Sequence, residues 1–492
     1  MLSGGVYIME EIEIENVAKR SIRGVVALVY RTFTIQIIGL VANFLLTVFL
    51  SPSIFGIFFV VSAAIAFLSY FSDIGLAAAL IQKKEAITDE ELRTTFTIQQ
   101  ILVVSVVVIA LFLSGFVKSF YRLDDQGILL FQALVVSFFL SSLKTIPSII
   151  LERNLRFEKL VIPQIVENLF FYVIAVVLAA GGFGVASFTF AVLARGISGA
   201  ITIYIINPWK MRFGFQKVAA KRLLSFGLPF QANSFLALIK DDLLIVYLGK
   251  VLPLAQVGYI GFAQKWAFAP LRLIMDNVIR ITFPSFSRLQ HDKNILGKAL
   301  EKSIFAACFL IFPGLMGLVV LAPYFIHLIP KYIKWEPAIL SLSFFAINAA
   351  LSSISTPLTN ALTAIGKIRI TLYLMIFWTV STWVITPLAI MMFGFNGVSY
   401  ASAFIALSVI FVVIISKRFI KFAVFRILIN PFLATIFMGG VIYFLSPLVV
   451  KNIPMLILMI VFGAMVYFST MLALAKNQII SDIRFVRENL KK

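Results

Sequence analysis

An all-α polytopic membrane fold is predicted, and three observations predict it. Apolar side chains make up 61% of the 492 residues and charged ones only 13%, where soluble domains hold about 45–50% and about 25%. The apolar residues fall into continuous runs of roughly 20 or more, whereas membrane barrel strands alternate over about ten. Lys and Arg gather in alternate connections between those runs. A span takes roughly 20 mainly apolar residues, so the chain supplies about 14 transmembrane helices. The expected architecture is two pseudo-symmetric six-helix bundles plus two C-terminal helices.

In order along the chain, residues 1–23 read as a cytoplasmic N-terminal tail. It is polar and acidic, with Glu10, Glu11, Glu13 and Glu15 and no apolar signal core, so the first helix is an uncleaved anchor and Met9 is an alternative start. Residues 24–206 form an N-terminal six-helix lobe, with spans at Gly24–Leu50, Ile54–Ile81, Phe96–Val117, Ile128–Leu151, Leu160–Gly181 and Phe183–Ile206. Residues 207–222 are a basic cytoplasmic connector carrying Lys210, Arg212, Lys217, Lys221 and Arg222. A second six-helix lobe follows over 223–417, with spans at Leu223–Leu248, Ala255–Thr282, Ser303–Ile326, Ala338–Leu362, Ile368–Phe393 and Gly397–Ile415. Two additional helices, Ile427–Val450 and Ile453–Ala475, fill residues 418–475. The tail at 476–492 sets Ile479, Ile480, Ile483, Phe485 and Val486 between charges, a pattern for a short helix at the cytoplasmic interface.

Charge orients this topology. With the N-terminus inside, 29 of the 42 Lys and Arg lie in cytoplasmic segments, counting Arg369 at the mouth of its span among them, 6 in outside loops and 7 deeper within spans. That bias puts both termini in the cytoplasm. The net charge of +20 follows from the topology and from attraction to anionic membrane lipids, and does not signal nucleic-acid binding. With one cysteine, Cys308 inside an apolar run, and only His291 and His327, disulfide frameworks and Cys- or His-based metal sites are excluded.

A weak internal repeat is visible. Asn43-Phe44-Leu45-Leu46, Leu50-Ser51-Pro52 and Phe55-Gly56 correspond to Asp241-Asp242-Leu243-Leu244, Leu248-Gly249 and Val257-Gly258. Asp73 follows Gly56 by 17 residues and Asp276 follows Gly258 by 18. The repeat pairs the first two spans with the seventh and eighth. Six helices per unit is an even number, so both copies enter the membrane in the same direction, as in transporters built from parallel repeats.

Ionisable groups inside spans cost about 2.5–3.5 kcal/mol each and must snorkel, pair or face a wet cavity. Those here are Arg31, Asp73, Lys144, Glu167, Arg195, Lys240, Asp241, Asp242, Lys265, Arg272, Asp276 and Arg280, a surplus of two positive charges. In the eighth span Lys265, Arg272, Asp276 and Arg280 fall within roughly 80° of one another at about 100° per residue, so they form one stripe. The stripe either lines a cavity or neutralises itself through i,i+4 pairs, with Arg280 snorkelling. Arg31 lies near the start of the first span, beside Tyr30, Thr32, Thr34 and Gln36, and either snorkels or meets substrate. Adjacent Lys240, Asp241 and Asp242 diverge, so one acid is expected to pair locally and the other to meet the cavity or a cation. Asp73 reads either as an end-of-span group or as a cavity residue. Lys144, Glu167 and Arg195 are expected either to pair within the N-terminal lobe or to touch ligand. Cations in a low-dielectric chamber select phosphate or carboxylate, and Arg grips these bidentately. A lipid diphosphate with a sugar head satisfies both the charge and the lipid access.

The run Leu50-Ser51-Pro52-Ser53-Ile54-Phe55-Gly56, with Ser72-Asp73-Ile74-Gly75-Leu76 and Ala79-Leu80-Ile81-Gln82, resembles the N-terminal signature of the polysaccharide transporter family. These are the Wzx-type oligosaccharide and lipopolysaccharide flippases of the multidrug/oligosaccharidyl-lipid/polysaccharide exporter superfamily. Leu248-Gly249, Val257-Gly258-Tyr259, Ala263, Phe283-Pro284-Ser285-Phe286-Ser287-Arg288-Leu289-Gln290 and Trp335 are similar to its second half, with Ile333 where a Gly is common. The resemblance implies alternating-access flipping of polyprenyl-diphosphate-linked oligosaccharides from the inner to the outer leaflet for cell-surface polysaccharide biosynthesis. Arg31, Lys265 and Arg272 would hold the diphosphate, and Asp241 or Asp242 would couple transport to H+ or Na+. The eleventh span offers only Thr379, Ser381 and Thr382 to a cation. A polysaccharide polymerase and glycosyltransferases would be the working partners. No cofactor is expected.

Two rivals remain from the residues. A cation-coupled multidrug antiporter of the same superfamily would use Asp241 and Asp242, but needs an acidic interior. A membrane glycosyltransferase would use Asp124-Asp125, in an outside loop of only about ten residues. No Walker-type glycine loop is present and no bond chemistry is expected.

Overall fold

The computed structural model describes residues 14–70, 75–83 and 85–490. Asp73, Met9 and the tail through residue 13 lie outside the described residues. All regular structure described is helical, and the chain divides into two units, Met1–Gly258 and Tyr259–Lys492.

The first unit holds α1 (Ile14–Phe49), α2 (Pro52–Tyr70), α3 (Leu76–Gln82), α4 (Asp89–Phe112), α5 (Ser114–Tyr121) and α6 (Asp125–Leu143). It continues with α7 (Thr145–Arg153), α8 (Phe157–Ala180), α9 (Ala186–Ile206), α10 (Lys217–Val251) and the first turn of α11 (Leu254–Leu289). In it α8 packs on α1 and α9, α6 on α9, and α10 on α2 and α3. The second unit holds the rest of α11, then α12 (Lys293–Leu328), a 3-10 turn over Pro330–Trp335, α13 (Ala338–Ala364) and α14 (Ile368–Phe393). After these come α15 (Asn396–Ala406), α16 (Val409–Lys417), α17 (Val424–Val449) and α18 (Ile453–Leu490).

Among the described residues 12 helical stretches are long and apolar enough to cross a membrane. The helices α10 and α11, 35 and 36 residues long, are not among them. They are long enough, and they are the two that carry Lys240-Asp241-Asp242 and the Lys265–Arg280 stripe. Taken with the 12, they account for the expected fourteen.

Four expected spans are interrupted. The second divides into α2 and α3, where Gly75 takes φ 77° and a Cβ would lie 2.3 Å from the Gly227 carbonyl oxygen, so glycine is required there. The third breaks at Leu113, the fourth at Lys144, and the twelfth between Ala406 and Val409. The break at Lys144 has a cause in sequence. Pro147 has no N–H to donate to the Leu143 carbonyl, and the Tyr204 hydroxyl donates to that oxygen instead at 3.0 Å. Lys144 therefore sits at a helix junction and not in the middle of a continuous span. In α4 a capping box satisfies the first turn, with Glu91 N–H donating to Thr88 Oγ1 at 3.2 Å and Thr88 N–H to Glu91 Oε2 at 3.0 Å. At the other end α18 kinks at Ala475 (φ −133°, ψ 27°), where the last span was expected to end.

The additional helices pack against α12. Ala434, Met438 and Ile442 of α17 and Tyr467 and Met471 of α18 are buried with Cys308 and Phe312 in one core. The Tyr467 hydroxyl donates to the Phe309 carbonyl at 2.9 Å. Trp335, fully buried, stacks on Phe262 with centroids 4.4 Å apart.

Candidate functional site: charged faces and an apolar cavity

The α11 stripe is exposed along its length. Lys265, Arg272, Asp276 and Arg280 are all exposed. No side-chain hydrogen bond or ion pair joins Arg272, Asp276 or Arg280 to any other described residue. The self-neutralising i,i+4 arrangement is thus not formed, and Arg272 and Arg280 carry no ion pair to a described residue.

In the first unit several of the expected intramembrane charges are engaged. Arg31 is half-buried on α1 and donates from Nη1 to Gln164 Oε1 of α8 at 2.6 Å. No sequence motif announced Gln164 as a partner of Arg31. Lys144 and Glu167 form an ion pair, with side chains 17% and 12% exposed. A Cβ on Gly199 of α9 would meet Glu167 Oε2 at 2.5 Å and Lys144 Nζ at 3.0 Å, so the pair packs directly against this glycine. One turn away Arg195 lies 6.0 Å from the Phe171 ring centroid, a cation–π arrangement. Of these three, the structure brings Lys144 and Glu167 together and leaves Arg195 exposed outside that pair.

On α10, Lys240 Nζ donates to Asp241 Oδ1 at 2.7 Å, while Asp242 is half-buried. One acid pairs locally and the other does not. The Asp124-Asp125 pair is also spoken for. Asp124 caps α6, accepting from Gly127 N–H at 2.7 Å, and Asp125 pairs with Lys118.

The second unit contains a cavity of about 470 Å³ that the sequence reading missed. Its walls are nearly all apolar and come from α11, α12, the 3-10 turn, α13, α17 and α18. Phe262 and Trp266 wall it from α11, Gly314 and Gly317 from α12, and Gly463 and Tyr467 from α18. Gly314 and Gly317 have nothing within 4 Å of a Cβ position, so these glycines keep space open instead of permitting a tight crossing. Trp266 follows Lys265 directly on α11, about 100° around the helix. A cationic stripe and an apolar hollow therefore flank one another on the same helix.

A fold with 12 helical stretches long and apolar enough to cross a membrane among the described residues is that of a multi-pass membrane protein. Residues 45–340 match the family described as Polysaccharide biosynthesis protein, and the chain belongs to that family. It is 24% identical over 345 residues to an uncharacterized membrane protein in the cps region of Klebsiella pneumoniae, covering 69% of this chain and 70% of that one. It is also 24% identical over 349 residues to the lipopolysaccharide biosynthesis protein WzxC of Escherichia coli (strain K12), covering 70% and 69%. Among solved structures, the lipid II flippase MurJ in an inward closed conformation superposes with TM-score 0.75 at 15% identity, over 92% of this chain and 99% of that one. An inward-facing MATE family multidrug transporter superposes with TM-score 0.62 at 17% identity, over 80% and 97%. These superpositions establish the fold: an all-α multi-pass membrane protein with pseudo-symmetric helical bundles and additional helices.

Proposed function

We propose that the chain is a flippase that carries polyprenyl-diphosphate-linked oligosaccharides from the inner to the outer leaflet by alternating access. The observation that carries this reading is the α11 stripe, where Arg272 and Arg280 keep their charge exposed with no ion pair to a described residue. Cations in a poorly solvated region attract a diphosphate strongly, and a guanidinium matches its oxygens in pairs. Lys265 and Arg272 on α11, and Arg31 oriented by Gln164 on α1, are the proposed diphosphate ligands. The apolar cavity beside Trp266 is suited to part of the prenyl chain. Family membership and the names of the relatives point the same way, towards polysaccharide assembly.

Asp242 is the proposed coupling acid, for H+ or Na+, since Asp241 is held by Lys240. The proposed setting is the inner membrane with both termini cytoplasmic, and the working partners are glycosyltransferases and a polymerase. We read the protein as a transporter and not an enzyme, because Asp124 and Asp125 serve as a helix cap and a salt bridge. The antiporter reading is weaker, since the exposed stripe carries three cations to one acid.

The test is translocation of a lipid-diphosphate oligosaccharide in proteoliposomes containing the wild type, Lys265→Ala or Arg272→Ala, with thermal unfolding measured in parallel. Loss of flipping with the fold retained supports the assignment, and undiminished flipping in both variants removes it.

A further inference from the structure

The chain between α9 and α10, residues 207–216, is neither helix nor strand, yet it is fastened down. Asn207 Nδ2 donates to the Pro147 carbonyl at 2.9 Å. Trp209, only 5% exposed, sets its ring edge-on to Phe96 with centroids 5.1 Å apart. The N–H groups of Gly214 and Gln216 donate to Thr97 Oγ1 and Thr94 Oγ1, each at 3.0 Å. Amides two residues apart that bond one helix fix an extended register along α4, so the segment is a strap and not a loose linker.

With these backbone groups committed to α4, the strap leaves its other large side chains largely exposed, Phe213 also resting its ring 5.5 Å from that of Phe96. Met211, Phe213 and Phe215 are 49%, 72% and 66% exposed. Lys210, Arg212, Lys217 and Lys221 are exposed too, and none is in an ion pair with a described residue. Arg222 differs, lying 3.8 Å from Glu91, which Lys83 also holds at 2.8 Å. No acid occurs from Asn207 to Arg222. The strap starts just past Ile205, which is 75% exposed in the last turn of an apolar helix, so it lies at the hydrocarbon edge. At that depth aromatic and Met side chains enter the acyl boundary while Lys and Arg reach lipid phosphates.

We propose that residues 210–221 form a docking strap for anionic phospholipid headgroups in the leaflet at this end of the helices. Four open cations interleaved with three large apolar side chains complement a negatively charged, amphiphilic surface, whereas a soluble acidic partner would leave the aromatics in water. The assignment is independent of the transported substrate.

The full-length protein in nanodiscs tests it. Val218→Cys, 67% exposed and within this segment, takes a fluorescent label, while Cys308 is fully buried. Quenching by brominated phosphatidylglycerol is expected to exceed quenching by brominated phosphatidylcholine, and the excess is expected to shrink as salt is raised. Each cation near an anionic surface is worth about fivefold in lipid preference. The Lys210→Gln/Arg212→Gln/Lys217→Gln/Lys221→Gln variant is therefore expected to lose at least about tenfold of it. Met211→Ser/Phe213→Ser/Phe215→Ser, which keeps every cation, is expected to retain headgroup preference and lose quenching by deep bromines. Equal quenching by the two lipids in the wild type overturns the proposal, as does an unchanged preference in the neutralised variant. Should that variant fail to fold, the wild-type contrast decides alone.

Discussion

Gly56 and Gly258 approach each other's helix reciprocally. A Cβ on Gly56 would lie 1.8 Å from the Leu254 carbonyl oxygen, and one on Gly258 would lie 1.9 Å from that of Pro52. The same shift in numbering relates Pro52 to Leu254 and Gly56 to Gly258. Reciprocity of this kind marks a local two-fold relation, and it falls on the motifs that the sequence duplicates. Gly56→Ala and Gly258→Ala should each destabilise the protein by about 1–3 kcal/mol, because carbonyl oxygens on rigid helices cannot give way. Thermal unfolding of the single and double variants in detergent checks this. The double variant should fall short of the sum, since both changes strain one crossing.

Arg272→Lys should reduce flipping less than Arg272→Ala, but still severalfold. A lysine keeps the charge and loses the paired hydrogen bonds to phosphate. Flipping rates of the two variants at equal expression give the comparison. Equal rates for lysine and arginine would show that charge alone suffices there.

Gly317→Leu should fill the apolar cavity without strain, because nothing lies within 4 Å of a Cβ at that position. Flipping of a long-prenyl substrate should fall severalfold while the unfolding temperature stays level or rises. A short-prenyl analogue should be affected less, and competition between the two substrates measures the difference.

Lys144→Met or Glu167→Gln alone should cost about 3–5 kcal/mol, since each leaves one uncompensated polar partner in a mostly buried site. Replacing both by apolar residues should restore most of that loss. A double-mutant cycle on unfolding provides the test. Gly199→Ala should cost less than either single variant, because the ends of the two side chains can shift from its methyl group while staying paired.

Lys334 lies in the 3-10 turn outside the spans, and burial, helped by Lys331, lowers its amine to about 8. The unfolded chain keeps its proton to the ordinary lysine value, so it binds more protons between the two values and stability should rise with pH across that window. Lys334→Met should therefore be more stable than the wild type below pH 8, with the gap closing as pH climbs towards the ordinary lysine range. Unfolding temperatures across that range check the sign. Near pH 8 the wild-type amine should also acylate faster than ordinary surface lysines, as peptide mapping would record.

Much of the fold was legible because a helix in lipid must satisfy its own backbone, so composition and run length suffice to place it. The span expected at Ile368–Phe393 is α14 to the residue. Breaks were legible only where their chemistry is local. Pro147 marks the fourth span's interruption, but the requirement for glycine at Gly75 comes from Gly227, far along the chain.

By itself the sequence determined an all-helical, many-spanned protein with a basic interior and one helix bearing a charged stripe, because periodicity and composition act within a segment. Tertiary structure alone decided which charges cancel. Lys144 meets Glu167 and Lys240 meets Asp241, while Arg272 meets no acid among the described residues. It also decided where Gly314 and Gly317 leave a hollow, among helices more than a hundred residues apart. Ion pairs and voids depend on a few ångströms of side-chain placement, and that placement is set by the packing of distant segments, which no local pattern encodes.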